Sequence, residues 1–290
     1  MLIKHLNGLK IFCVIIFIMI HKLAFAIDLQ PGEIKAPSGT FNAAQISYLY
    51  VEKGDKYSHG TKISDVSNVN QNALLLRLGH AFEVNQMPAY VYAQSSINHF
   101  NNNIQSNTNS NGVGDTTIAF ALWPYANQEK DEYFGMAGYV LLPTGDYDKN
   151  RAINSGLNIY QVAIQAGYQS KIANNINWMT ALDTVLSSDN NQYLGNSKLE
   201  KDPVYNFQTG LQYVFNPSYS MSLGYFYSVG GESTIDGIDK ADITKIHRYQ
   251  LTGQANYSFG RFTLQYGSEF TNENSYIEDH RLVARYSFKF

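Results

Sequence analysis

Cysteine is almost absent from this 290-residue chain, and its single occurrence, Cys13, falls inside an apolar segment near the N-terminus. The remainder of the chain can therefore form neither a disulfide nor a cysteine-ligated metal site. No other metal or cofactor motif is visible, so we expect no cofactor. A long exported chain without disulfides must be stabilised in another way, and closure of a β-sheet into a barrel would serve.

Charge and long apolar runs are also scarce. Only 16% of the residues are charged, and the formal net charge is −3. The absence of a basic excess argues against nucleic acid as a partner. After residue 26 no stretch is apolar enough for a membrane-spanning helix, which needs about twenty mostly apolar residues.

The N-terminus carries the three parts of a secretory signal. Lys4 and Lys10 are basic, residues 11–20 are an apolar run, and residues 24–26 read Ala-Phe-Ala. The alternative interpretation is a membrane anchor, but the run is about half the length of a spanning helix. We therefore predict a signal peptide over 1–26 that is cleaved after residue 26. The residue after the cleavage site is Ile27, so a lipoprotein anchor is not expected.

The sequence is rich in aromatic residues, with 22 Tyr and 16 Phe. In many segments apolar and polar residues also alternate one by one along the chain. Alternation of apolar and polar residues is the period of a β-strand. In the last segment one side is formed by Leu282, Ala284, Tyr286, Phe288 and Phe290. The other side is formed by Arg281, Val283, Arg285, Ser287 and Lys289.

Alternation alone also fits a soluble sandwich or a lipocalin-like barrel whose apolar side faces inward. Three features favour a membrane barrel instead. The segments are mostly about ten to fifteen residues long, whereas a soluble strand usually has about five or six. Their apolar sides end in aromatic residues, as membrane-interface girdles do. Their opposite sides are rich in Gln, Ser, Thr, Asn and Gly, which suits a wet lumen.

We predict an all-β fold: a transmembrane, antiparallel, up-and-down β-barrel over 40–290, preceded by a periplasmic leader over 27–39. The twelve predicted strands are 40–53, 71–83, 87–99, 112–126, 131–142, 157–173, 176–188, 203–216, 218–230, 242–259, 261–272 and 277–290. The connections alternate between long and short, as expected for outer loops and periplasmic turns. Both termini would then lie in the periplasm of a bacterial outer-membrane protein.

Two motifs lie at strand ends: one opens the predicted strand 112–126, and the other closes the next predicted strand, 131–142. The first is Gly112-Val113-Gly114-Asp115, and the second is Leu142-Pro143-Thr144-Gly145-Asp146. With the leader pairs Asp28-Leu29, Pro31-Gly32 and Ala36-Pro37, this arrangement resembles the outer-membrane family of the meta-pathway of phenol degradation. The resemblance covers most of the chain after the signal. It implies a transporter barrel for small molecules, including aromatic ones, and does not establish phenol as the substrate.

The motif residues also have a direct physical interpretation. Pro143 cannot donate to a strand ladder and should end a strand. Thr144 and Gly145 then suit a turn, while Gly112 and Gly114 permit a bulge or a close backbone approach. Asp115 and Asp146 are expected at the outer mouth of the barrel. There they either fold the loops through hydrogen bonds or bind an ion or solute, and the sequence leaves both open.

Charged residues on the predicted inward sides are the candidates for solute contact. They are Arg77, Asp183, Arg261, Glu269, Arg281 and Arg285. Eight strands make a filled barrel and sixteen or more an open channel, so twelve should enclose a narrow lumen. Clustered basic residues on the last strands are consistent with an anion-leaning constriction. The alternative is that they neutralise lumen carboxylates and fill space.

The expected function is therefore an outer-membrane channel or transporter for small solutes, including hydrophobic or aromatic ones, and not an enzyme. Its expected partners are outer-membrane lipid, a small solute, and the barrel-assembly machinery, which would recognise the C-terminal Phe290. One alternative is a structural or adhesive barrel that transports nothing. The other is a hydrolase built on the surface loops, for which no Gly-x-Ser-x-Gly or His-Glu-x-x-His motif is present.

Overall fold

The computed structural model describes residues 28–64, 69–102 and 110–290. The predicted signal peptide lies outside the described residues. Within them, no helix is long and apolar enough to span a membrane.

Twelve long antiparallel strands form the barrel. They are β1 Phe41–Ser58, β2 Val69–Val84, β3 Met87–Asn102, β4 Thr116–Asn127, β5 Glu132–Leu142, β6 Gln161–Ala173, β7 Ile176–Ser187, β8 Val204–Asn216, β9 Tyr219–Gly230, β10 Thr244–Tyr257, β11 Gly260–Asn272 and β12 Tyr276–Lys289. Each strand pairs with the next along the chain, and β12 pairs with β1 to close the ring. The predicted fold class and strand number are confirmed.

The described parts of the connections contain six short strands: Thr61–Ser64, Ser110–Val113, Asn190–Tyr193, Ser197–Lys201, Ser233–Ile235 and Ile238–Asp239. The first pairs with the end of β1, and the second pairs with β3. The other four form a separate small sheet. One predicted strand, 112–126, is therefore divided in the structure. Gly114 and Asp115 interrupt it, at the point where the Asp115 carboxylate hydrogen-bonds to the loop that follows β5.

The connections alternate between long and short as the sequence predicts, except that the last one, residues 273–275 between β11 and β12, is as short as a turn. Short ones join β2 to β3, β4 to β5, β6 to β7, β8 to β9 and β10 to β11, all at one end of the barrel, here called the turn end. The two-residue connection between β2 and β3 uses Asn85 and Gln86, whose φ angles of 49° and 67° suit a hairpin turn. The longer connections lie at the opposite end, here called the loop end. The C-terminal Phe290 lies at the turn end, where its backbone exchanges two hydrogen bonds with Asn42.

Alternation along each strand separates an apolar exterior from a polar interior. On β11, Leu264 is 62% exposed while its neighbour Gln265 is only 1% exposed. Leucine, isoleucine and methionine dominate the exposed middle band, which is the surface that a bilayer would cover. Interior positions carry mostly Gln, Asn, Ser and Thr, and many of them are buried.

Leu264→Arg is expected to destabilise the barrel by about 2–4 kcal/mol, because an arginine on the lipid face near the middle of a strand is poorly solvated. Reversible urea unfolding of the refolded protein in lipid vesicles measures this change. Ile238→Arg is the matched control, since Ile238 is also 62% exposed but lies in a loop strand. A cost at Leu264 no larger than that at Ile238 would mean that this face does not contact lipid.

Candidate functional site: a lumen divided by the N-terminal segment

Residues 28–36, here called the N-terminal segment, lie inside the barrel. At the turn end, Lys35 forms an ion pair of 2.8 Å with Asp131. Further in, the Trp123 indole N–H donates to the carbonyl of Ile34 at 2.7 Å, and the Ile34 side chain is buried. The predicted periplasmic leader, 27–39, includes this segment.

Side-chain amides of the barrel wall provide partners for the backbone of the N-terminal segment. Gln254 donates to the Pro31 carbonyl at 2.9 Å, and Gln208 accepts from the Leu29 N–H at 2.9 Å. Gln208 is itself held by Asp183, whose buried carboxylate accepts amide hydrogen bonds from Gln208 at 3.2 Å and Asn206 at 2.6 Å. Asp183 thus orients a contact between the barrel wall and the segment.

Ion pairs hold the tip of the N-terminal segment, Asp28, in place. Asp28 pairs with Arg248 at 2.5 Å and with Arg281 at 3.8 Å. Arg281 also pairs with Glu278 at 3.3 Å, and the Glu278 backbone N–H donates to Glu269 at 3.1 Å. Because these groups are mostly buried, the attraction between them is little screened by water. The structure therefore brings two predicted residues, Arg281 and Glu269, into one network.

A second ionic anchor lies nearer the turn end. Glu33 approaches Arg77 at 3.4 Å and Arg285 at 3.8 Å, in both cases through Oε1. The Arg77 guanidinium also stacks over the Tyr92 ring, with 4.1 Å to its centroid. Glu33 thus joins two of the predicted lumen arginines. The remaining predicted arginine, Arg261, lines the same part of the lumen and donates to Asn256 at 2.7 Å.

The N-terminal segment and its anchors divide the lumen into two cavities. The loop-end cavity has a volume of about 590 Å³, and the turn-end cavity has a volume of about 750 Å³. Asp28, Leu49 and Arg281 line both cavities, so the partition between them lies at the Asp28 ion pairs.

The loop-end cavity has an apolar lining with balanced charge. Its apolar side chains include Phe100, Ile153, Leu157, Val185, Phe226 and Ile246. Two of these, Ile153 and Leu157, come from the long loop between β5 and β6, which therefore reaches over the mouth. Six basic and six acidic residues also line this cavity.

The glycine-aspartate motifs meet at the base of that loop. The Asp115 carboxylate accepts from the backbone N–H of Gly145 at 2.8 Å and of Leu157 at 2.7 Å. Burial raises the pKa of Asp115, while the hydrogen bonds from Leu157, Gly145 and Thr144 act against that rise. Asp146 likewise accepts from the Val113 N–H at 2.7 Å. Both aspartates thus bind the backbone of neighbouring loop segments.

The motif glycines allow the same segments to approach each other closely. A Cβ on Gly145 would lie 2.8 Å from backbone atoms of Gly114, Asp115 and Gly156. A Cβ on Gly112 would collide with the Asp146 carboxylate, and one on Gly114 with Ser96. Thr144 completes the contact by accepting from the Thr116 N–H at 2.9 Å, directly after Pro143 has ended the β5 ladder. We call this set of contacts the loop clasp.

The predicted site residues therefore fall into two groups at different heights. The motif residues Gly112, Gly114, Asp115, Pro143, Thr144, Gly145 and Asp146 surround the loop clasp. The charged residues Arg77, Asp183, Arg261, Glu269, Arg281 and Arg285 lie in the lumen wall below it. No group of His, Cys, Asp or Glu side chains suited to a metal ion occurs among the described residues.

Sequence reasoning missed Asp28, Glu33, Arg248 and Trp123. Asp28 and Glu33 are the acidic residues of the leader, and basic residues outnumber acidic ones on the last predicted strands. That complementarity of charge was the available signal for a segment that enters the lumen. Arg248 and Trp123 lie in the alternating segments like many other residues and carry no comparable signal.

A closed ring of antiparallel strands, apolar outside and polar within, defines the class of outer-membrane-type β-barrels. Within that class, the chain belongs to the family described as "Putative MetA-pathway of phenol degradation", whose model matches residues 38–286. The resemblance found in the sequence motifs is thereby confirmed.

Solved structures show the same fold. The COG4313 outer membrane channel from Pseudomonas putida F1 is 24% identical and superposes with a TM-score of 0.86, over 91% of this chain and 100% of that one. A TodX deltaS2S3 mutant, described as a monoaromatic hydrocarbon channel, is 10% identical with a TM-score of 0.51, over 88% and 91% of the two chains. Comparison with curated proteins gave no match.

Gly145→Ala is expected to weaken the loop clasp by about 1–3 kcal/mol, because the new methyl group would overlap backbone on three sides. Trypsin should then cleave the loop at Lys149 or Arg151 at least about five-fold faster, since cleavage follows the population of the opened loop. Gly138→Ala is the control, as a Cβ there meets no atom within 4 Å. Equal cleavage rates in the two variants would contradict the close contact at Gly145.

Proposed function

We propose that this chain is a passive channel of the bacterial outer membrane for small solutes, including hydrophobic and aromatic ones. The observation that carries the proposal is the pair of cavities in series along the lumen, separated at the Asp28 ion pairs. A solute would enter at the loop end and pass the partition when the N-terminal segment shifts. Family membership and the shared channel fold support this proposal.

Delivery to the membrane forms part of the same proposal. The signal peptide 1–26 directs the chain to export, and the barrel-assembly machinery recognises the C-terminal strand ending in Phe290. Aromatic side chains form a row along this strand, with ring centroids 5.6 Å apart for Tyr286 and Phe288 and 5.9 Å apart for Phe288 and Phe290. This row supports recognition of the strand by the machinery. The turn end then faces the periplasm, and the apolar band contacts outer-membrane lipid.

The lining of the loop-end cavity favours apolar solutes. Phe100, Phe226 and Ile246 offer contact surface to a small ring, and burial of apolar area drives such binding. Aromatic compounds are also the natural solutes to test because the TodX mutant is described as a monoaromatic hydrocarbon channel. No ATP or other energy source enters the proposal, since no nucleotide motif occurs in the sequence.

Single-channel recording in planar bilayers tests the proposal directly. The refolded protein should give a stable conductance that is reduced when phenol or a small aromatic acid is added. Liposomes that contain the protein should also take up these solutes faster than empty ones. Absence of both conductance and uptake would overturn the channel and leave a plugged structural barrel.

Asp28→Asn is expected to raise the conductance or the open probability. The substitution removes the charge that holds the tip of the N-terminal segment to Arg248 and Arg281. Loss of one partner of a buried ion pair costs about 3–5 kcal/mol, enough to release a short segment. The same recordings on Asp131→Asn serve as control, because that residue anchors the segment through Lys35, whose side chain is about half exposed, and solvent-screened pairs contribute little. An unchanged current in Asp28→Asn would show that this tether does not limit passage.

A further inference from the structure

The two cavities differ in charge. The loop-end cavity is lined by equal numbers of basic and acidic residues, whereas the turn-end cavity is lined by six basic and two acidic ones. The basic residues of the turn-end cavity are Lys35, Arg77, Arg261, Arg281, Arg285 and Lys289, and the acidic ones are Asp28 and Glu33. A cavity with this imbalance and low-dielectric walls concentrates anions.

Four of these cations lie on neighbouring strands. Arg77 on β2 pairs with Gln45 on β1, Gln45 pairs with Ser287 on β12, and Ser287 pairs with Arg261 on β11. Arg285 and Lys289 lie two residues to either side of Ser287, so they share its inward face. Together Arg77, Arg261, Arg285 and Lys289 form what we call the basic patch.

Glu33 neutralises only one side of the basic patch. Its Oε1 faces Arg77 at 3.4 Å and Arg285 at 3.8 Å, while its Oε2 accepts the Gln30 backbone N–H at 2.9 Å. Arg261, in contrast, donates to the neutral Asn256, and Lys289 stacks over the Phe41 ring at 3.7 Å. Among the described residues, neither has a carboxylate within 4.0 Å.

An aromatic wall adjoins the basic patch. Tyr90, Tyr92 and Tyr139 line the same cavity, with ring centroids 6.1 Å apart for the first pair and 6.5 Å for the second. Arg77 connects the wall to the patch, because its guanidinium lies over Tyr92. The cavity therefore offers a charged side and an aromatic side within about 750 Å³, a volume typical of small-ligand sites.

We infer that the turn-end cavity binds a small aromatic carboxylate. The carboxylate is held by Arg285 and Arg261, and the ring packs against Tyr90 and Tyr92. Guanidinium groups suit this role because their planar array of N–H donors matches a carboxylate and remains charged. The inference rests on the proposed channel and specifies one solute class that this part of the lumen selects.

The cavity lining also predicts what the site discriminates against. A neutral aromatic of the same size makes the ring contacts but gives Arg261 no anionic partner and leaves Arg285 with Glu33 alone. The loop-end cavity, whose charges balance, gives no such preference. Selection of the acid over its neutral analogue therefore occurs at the turn end.

Isothermal titration of the refolded full-length protein with benzoate and with benzamide tests the inference. Benzoate should bind more tightly. Arg285→Gln should weaken benzoate binding about 10- to 100-fold and Arg261→Gln at least about five-fold, because each removes a charge-assisted hydrogen bond. Benzamide binding should change less than two-fold in either variant. Lys130→Gln, at an exposed turn residue that lines neither cavity, is the control for net charge and should leave both affinities unchanged.

Equal affinity for benzoate and benzamide would overturn the inference, as would a Lys130→Gln effect as large as that of Arg261→Gln. Arg261→Gln decides the outcome if Arg285→Gln does not refold, since Arg261 has no carboxylate partner among the described residues. Binding is measured at equilibrium and without ion flow, so the result is separate from that of the conductance test. Benzoate selectivity without conductance would keep the site and remove the channel. Conductance without benzoate selectivity would keep the channel and remove the site.

Discussion

Closure of the backbone hydrogen-bond ring is the constraint on which the rest of this structure depends. In a bilayer, a sheet edge would leave N–H and C=O groups without partners, and pairing of β12 with β1 removes both edges. Closure also makes every strand present one side to the exterior and the other to the lumen. The two-residue alternation of the sequence therefore becomes a division between lipid-facing and lumen-facing side chains around the whole ring.

Twelve strands enclose more space than their own side chains fill, and the N-terminal segment occupies part of the remainder. Its backbone introduces polar groups that need partners away from bulk water. Glutamines of the wall, such as Gln208 and Gln254, meet that need, and Asp183 holds one of them in place. The charges of Asp28 and Glu33 meet arginines from opposite parts of the chain. The sequence predicts a polar, wet lumen. In the structure, the polar side chains of the lumen serve largely to hold a segment of the protein itself.

The division of the lumen gives the two ends different chemistry. At the loop end, the loop clasp positions apolar side chains of the β5–β6 loop over a charge-balanced cavity. At the turn end, the basic patch exceeds what Glu33 can neutralise. In the proposed channel, a solute that enters at the loop end would therefore meet an apolar surface first and a cationic one second, with the ion pairs of Asp28 between them.

The sequence by itself determined the features that depend on near neighbours along the chain. Strand period, strand length, turn position and the backbone role of Pro143 and Gly145 are local. The twelve strands and most of the alternation of long and short connections could therefore be predicted. The contacts between Asp28 and Arg248, which lie 220 residues apart, could not. Which inward charge meets which partner depends on closure, on strand register and on the path of residues 28–36, and these exist only once the ring has formed. The sequence could therefore suggest that Arg77, Arg281 and Arg285 face the lumen. Only the tertiary structure decided that Arg281 lies at the partition and that Arg77 and Arg285 belong to the basic patch.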